Sequence, residues 1–166
     1  MQTQVVISGG RKFTEFDPRT IRSIFPLECG NLLGYKDKSW LIISEVAADR
    51  SGVYRGLMRL CNFMISVQTG TEKILKGYDG MGRPVYEYIP IYTDFNCVLD
   101  GAGFQIDSNQ TINLSRDEIR ITMQDNESSS TLTKNLNLNV MFATYTIQAI
   151  DRSRVGVITF VAKLKI

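Results

Sequence analysis

Not one of the 166 residues is a histidine, and this decides most of the chemistry open to the chain. Ser-His-Asp and Cys-His nucleophilic arrangements, histidine zinc sites and an imidazole general base all drop out. Three cysteines remain, Cys29, Cys61 and Cys97. Their odd number, wide spacing and lack of any CxxC pattern read as reduced structural thiols of a cytosolic protein, not as ligands or nucleophiles. Carboxylate chemistry needs two groups whose environments push their pKa values apart, and the acidic residues are scattered without the spacing of a dyad. The expectation is a non-enzymatic protein with no cofactor, no metal and no small-molecule substrate.

One glycine-rich stretch invites a phosphate-cradle reading. Residues 77–86, GYDGMGRPVY, place Gly77, Gly80 and Gly82 within six residues, followed by Arg83-Pro84. The segment has neither GxGxxG after a strand nor the GxxxxGK[ST] of a P-loop. Arg83 could meet a phosphate, but no helix N-terminus follows to receive one. Arg83-Pro84 instead holds the chain extended, because the residue before proline avoids the helical region. The stretch therefore reads as a turn, with glycines supplying positive φ and Pro84 starting the next strand.

Charge supplies the remaining candidate site. Residues 1–59 carry nine Lys/Arg against six Asp/Glu, a balance of +3; residues 60–132 carry −5 and residues 133–166 carry +4. Basic ends around an acidic middle suit a protein that touches an anionic surface on one side and its own copy on the other. Arg11, Lys12, Arg19, Arg22, Arg55 and Arg59, with Phe13 and Phe16 interleaved, form the expected basic-aromatic face. Each basic residue near an anionic lipid surface contributes about 1 kcal/mol, and phosphates of nucleic acid act similarly through counterion release.

These residues need a scaffold, and the pattern predicts an α+β fold, an antiparallel β-sheet packed against one or two α-helices. The length suits a single globular domain over 1–166. No apolar run approaches the ~20 residues of a membrane span, and the N-terminus lacks the regions of a signal peptide. VVIS (5–8) is a short strand. Asp17-Pro18 resembles an N-cap with proline at the first helical position, predicting a short helix to about Phe25 with Arg19 and Arg22 on one face. Residues 39–50 read as a strand. In 51–67, Val53, Leu57, Leu60/Cys61 and Met64 recur every three to four residues, opposite Arg55, Arg59, Asn62 and Ser66. That predicts an amphipathic helix with both arginines outward, although NFMISVQT also suits a strand. From Pro84 to Leu99, Val85, Glu87, Ile89 and Ile91 alternate with Tyr86, Tyr88, Pro90 and Tyr92. Pro90 marks an edge strand or a bulge. EIRITMQD (118–125) alternates with Ile119, Ile121 and Met123 inward, NESSSTLTKN is a flexible connection, and 137–151 with 155–166 form a C-terminal hairpin.

Several of these stretches, in order, resemble rhabdovirus matrix proteins. YDGMGRPVYEYIPIY is similar to that family's Gly-Met segment, EIRITMQDNES to its central strand and acidic turn, and YTIQAIDRSRVGVITFVAKLKI to its terminal hairpin. The resemblance spans roughly residues 40–166. It lacks the long Lys-rich arm and PPxY-type budding signal of the better-known members, so the short form would fit the plant-infecting branch. The resemblance implies a structural protein at the inner face of the viral envelope. It implies self-association, binding to anionic membrane and to the viral nucleoprotein–RNA complex, contact with a glycoprotein tail, and budding. Location would extend to host cytoplasm, membrane periphery and nucleus. Two alternatives stand beside this reading: a small viral jelly-roll capsid or penton subunit, whose sandwich strands DEIRITMQDNE and NLNLNVMFATYTIQ also suit, and a viral RNA-binding accessory protein.

Overall fold

The computed structural model describes residues 5–8, 18–101 and 117–165. Among them the chain is almost entirely strand, arranged as two antiparallel sheets. The first holds β1 (Val5–Ser8), β2 (Arg19–Ser23), β3 (Leu32–Tyr35), β4 (Lys38–Ile42), β5 (Ala47–Ala48) and β6 (Tyr54–Leu60). Its order is β1-β2-β6-β4-β3, with β5 on the edge of β6. The second holds β7 (Phe63–Tyr78), β8 (Pro84–Gly101), β9 (Glu118–Gln124), β10 (Asn137–Val140), β11 (Ala143–Asp151) and β12 (Val157–Leu164). Its order is β10-β11-β12-β9-β8-β7, and it curls until β10 lies against β7, close to a closed barrel.

The expected α+β class is therefore corrected: no α-helix occurs among the described residues. Arg19–Ser23, expected in a helix, is strand β2, with Ile21 and Ser23 buried and Arg22 exposed between them. Residues 51–67 form the end of a turn, strand β6 and the start of β7. The physical reason lies in the period. Leu57, central to the helical stripe, is 42% exposed, whereas Met58, outside that stripe, is 0% exposed. The chain obeys a two-residue alternation in which Gly56 and Met58 face inward. Gly56 belongs there because a Cβ would come within 3.1 Å of Val46 Cγ2.

Each sheet has its own core. Ile65, Val67, Phe95, Cys97, Ile121, Met123, Ile147, Ile158 and Phe160 fill the barrel. Ile21, Trp40, Ile42 and Met58 form the core of the first sheet. Each such side chain contributes about 1.5–3 kcal/mol on burial. The alternation expected in β9 is present, with Ile119, Ile121 and Met123 all buried. The predicted C-terminal hairpin is subdivided, because Met141 and Phe142, both at positive φ, turn the chain between β10 and β11. The NESSSTLTKN connection contains an ordered turn. Ser129, fully buried, donates to Asp125 Oδ1 at 2.8 Å, while Asn126 and Ser129 exchange hydrogen bonds at 2.8 and 3.0 Å.

The sheets are joined by polar and close-packed contacts. Arg59 on β6 donates twice to Asp100 on β8, at 2.8 and 2.6 Å, and both side chains are buried. Asn62, between β6 and β7, exchanges two hydrogen bonds with the Leu99 backbone at 2.9 and 2.7 Å. Gly30 and Gly156 meet backbone to backbone, each at positive φ. A Cβ on either would overlap the chain facing it, so only glycine fits this junction.

Candidate functional site

The four described members of the expected basic face do not share one surface; Arg11 and Lys12 lie outside the described residues. Arg19 stacks over the Trp40 ring at 4.7 Å, on the core side of β2. Arg22 and Arg55 are direct cross-strand partners on β2 and β6 and both are exposed. Arg55 is ion-paired with Asp49 at 2.7 Å. Asp49 also accepts from the Ser51 hydroxyl and from backbone N–H groups of Val53 and Ser51, and these bonds hold its carboxyl down to about 2. Arg59, expected outward, is the buried partner of Asp100.

The three cysteines are free thiols. Burial pushes Cys61 up to about 11 and Cys97 up to about 12, so neither is a ready nucleophile. Burial also raises Cys29.

The feature that stands out is the length of β7 and β8. They span 16 and 18 residues, against a mean strand of about 5–6. Only their base belongs to the barrel, since β9 pairs with β8 from Cys97 to Gly101. Beyond Gln68↔Tyr92 the two strands continue as an isolated two-stranded arm to Tyr78↔Pro84. Its ladder shifts register at Gln68/Gly70 and at Leu75/Gly77. Pro90 pairs with Thr71 where the other side of β8 has no neighbour, which is the edge position a proline tolerates.

GYDGMGRPVY forms the tip of this arm. Asp79 Oδ1 accepts from the N–H groups of Met81 and Arg83 at 2.9 and 2.8 Å. Gly82 takes φ +77° and donates to the Asp79 carbonyl, and Pro84 opens β8. The turn reading of this stretch holds, with strand β7 leading into it.

The arm has two dissimilar faces, neither covered by any described element. Val85, Ile89 and Ile91 line one, with Ile74 opposite Glu87. Tyr86, Tyr88, Pro90 and Tyr92 line the other, with Leu75 opposite Tyr86. Tyr88 is 64% exposed, Tyr78 69% and Met81, at the tip, 80%. Internal support is modest: Lys73 lies over the Tyr86 ring at 3.7 Å, and Lys76 pairs with Glu87 at 3.4 Å in the open. The alternation of 84–92 was legible in sequence, but it gave no sign that both faces would stand clear of the core.

A barrel, a second sheet docked on it and a projecting arm, bare among the described residues, define an all-β protein that presents an apolar extension. The chain belongs to the YomX family: the model of the YomX C-terminal domain matches residues 62–163 and that of the N-terminal domain residues 1–60. The two matches meet at Cys61, between β6 and β7, so each covers one sheet. No curated protein and no solved structure matches the chain. The rhabdovirus matrix resemblance is overturned by this assignment. Its motifs were a hairpin tip, an alternating strand and a terminal hairpin, features that any antiparallel sheet can share.

Proposed function

We propose that this protein is a structural subunit of a phage-type particle that assembles with copies of itself through the β7–β8 arm. Membership of YomX, a phage-type family, supports the viral structural class, and the all-β architecture suits the capsid-type alternative better than a matrix role. The observation that carries the proposal is the arm's exposure of apolar side chains on both faces.

An isolated two-stranded hairpin is marginal in water, and large exposed apolar patches mark interaction sites. Two bare faces call for a partner that encloses the arm. A lipid surface would cover one face only. Charge disfavours nucleic acid: from Thr69 to Tyr92 the arm holds Lys73, Lys76 and Arg83 against Glu72, Asp79 and Glu87, a net of zero. Mixed signs along one element suit pairing with an identical element, because an isologous contact sets each residue against its complement. Exposed tyrosines supply large contact area at low entropic cost.

The reading is tested by sedimentation velocity over a range of protein concentrations. The wild-type chain is expected to form dimers or larger oligomers, and the double variant Leu75→Glu/Tyr88→Glu to sediment as a monomer with an unchanged far-UV spectrum. Oligomers of equal size in that variant would refute the arm's role.

A further inference from the structure

Beside the Arg59–Asp100 pair the two sheets part, leaving a cleft of about 260 Å³. The outer face of the barrel supplies one wall. Asp100 on β8 and Arg120 on β9 are register partners there, and Thr159 on β12 is opposite both Thr122 and Asp151. Arg59 and Ile43 come from the first sheet, and Arg154 from the turn between β11 and β12.

The polar groups in this cleft do not balance. Three guanidinium groups, Arg59, Arg120 and Arg154, face two carboxylates, Asp100 and Asp151. Both Asp100 oxygens are taken by Arg59. Asp151 Oδ1 accepts the Ser153 N–H at 2.8 Å. Arg154 donates to the Ile43 carbonyl at 3.2 Å, bridging the sheets. Arg120 lies in the field of both carboxylates, but its Nε is closed off from solvent and has no hydrogen-bond partner among the described residues. A guanidinium N–H withdrawn from water and left unpaired is costly. The Thr122 and Thr159 hydroxyls bond each other at 3.3 Å beside it, and one of the two protons remains free to be donated outward.

We propose that the cleft binds a small oxyanion from solution, a phosphate or a carboxylate, seated on Arg120 and Arg154 with help from the threonine pair. Planar guanidinium forks match the oxygens of such anions. The volume lies below the roughly 300–1,000 Å³ of pockets for drug-sized ligands, so the ligand is small. Asp151 at the wall favours low total charge. An anion held here would fill the gap between the sheets and fasten one to the other.

Isothermal titration of the full chain with sodium phosphate, and separately with sodium acetate, tests this at constant ionic strength set by sodium chloride. One saturable site is expected for at least one anion, and the two arms distinguish phosphate from carboxylate. Arg120→Gln should abolish binding. Arg154→Gln, at an exposed turn position whose only inter-sheet bond among the described residues is the one to Ile43, should weaken it about tenfold through loss of one charge-assisted contact, with a far-UV spectrum recorded alongside to show that the variant folds. No saturable heat with either anion would overturn the site. So would undiminished affinity in Arg154→Gln, a result that stands even if Arg120→Gln fails to fold.

Discussion

Along β7 and β8 the ladder of backbone hydrogen bonds runs from Phe63↔Cys97 at the base to Tyr78↔Pro84 at the tip, broken only by two register shifts. At the base, Ile65, Val67, Phe95 and Cys97 point into the barrel and are almost wholly buried. Past Gln68 the same two strands carry Ile74, Leu75, Tyr86, Tyr88, Ile89 and Ile91 into the open. A register shift at Gln68/Gly70 marks the boundary, but the ladder runs on through it, and the neighbours decide which side chains are buried. β9 and the returning β10 cover the base, and no described element covers the arm. A strand pair can therefore be propagated by register alone, but its apolar side chains gain burial energy only where a second layer meets them. Among the described residues the body buries its own core, whereas the arm leaves its apolar side chains exposed.

That contrast makes body and arm respond differently to substitution. The largest effect is expected at the sheet junction. Asp100→Ala leaves Arg59 buried and without its bidentate partner, a change that typically costs about 3–5 kcal/mol. A denaturant midpoint close to wild type would show that the junction does not hold the body together. Next comes Gly156→Ala, whose methyl would overlap the backbone at Cys29 from a residue at positive φ. It should cost about 3 kcal/mol, the upper end of ordinary single substitutions, read from the same denaturation curve.

A smaller, pH-dependent effect comes from Cys97. Burial raises its folded pKa to about 12, whereas an unfolded thiol ionises near 8.5. Between these values the folded state keeps a proton that the unfolded state has lost. The contribution is therefore fully present below about pH 8.5 and lost as pH rises toward about 12. Denaturation midpoints at pH about 8 and about 10.5 should fall further in wild type than in Cys97→Ala. Equal slopes would remove the thiol from the account.

Least of all should Tyr88→Ser change the stability of the body, by about 0.5 kcal/mol or less, as for exposed positions elsewhere. A loss comparable to that of the junction variants would mean that the arm is part of the body after all.

Sequence revealed the parts of this design that depend on near neighbours. Ile119, Ile121 and Met123 announced β9 because one face is buried and the other is not. Pro84 announced the start of β8, and the glycines around Asp79 announced a turn. The helix expected over 51–67 failed because a turn followed by two strands mimicked a three-to-four-residue period while Gly56 and Met58 set the true one. The rest was hidden for longer-range reasons. Arg59 read as an outward cation because its partner, Asp100, is 41 residues away. Ile89 and Ile91 look like core residues in any local pattern, and only the ending of β9 pairing at Cys97 leaves them bare. Likewise, the cleft around Arg120 exists only once two sheets, covered by separate family models, have docked.

The central claim, that the arm exists to join one copy to another, is tested most directly by removing it. Residues Thr69 to Ile91 can be replaced by Asn-Gly, a two-residue turn suited to close the hairpin at Gln68↔Tyr92. Light scattering coupled to size-exclusion chromatography would then compare the shortened chain with the intact one. The account predicts a folded monomer for the shortened chain, with the midpoint of the body preserved, and concentration-dependent oligomers for the intact protein. Identical oligomers from both chains would contradict it.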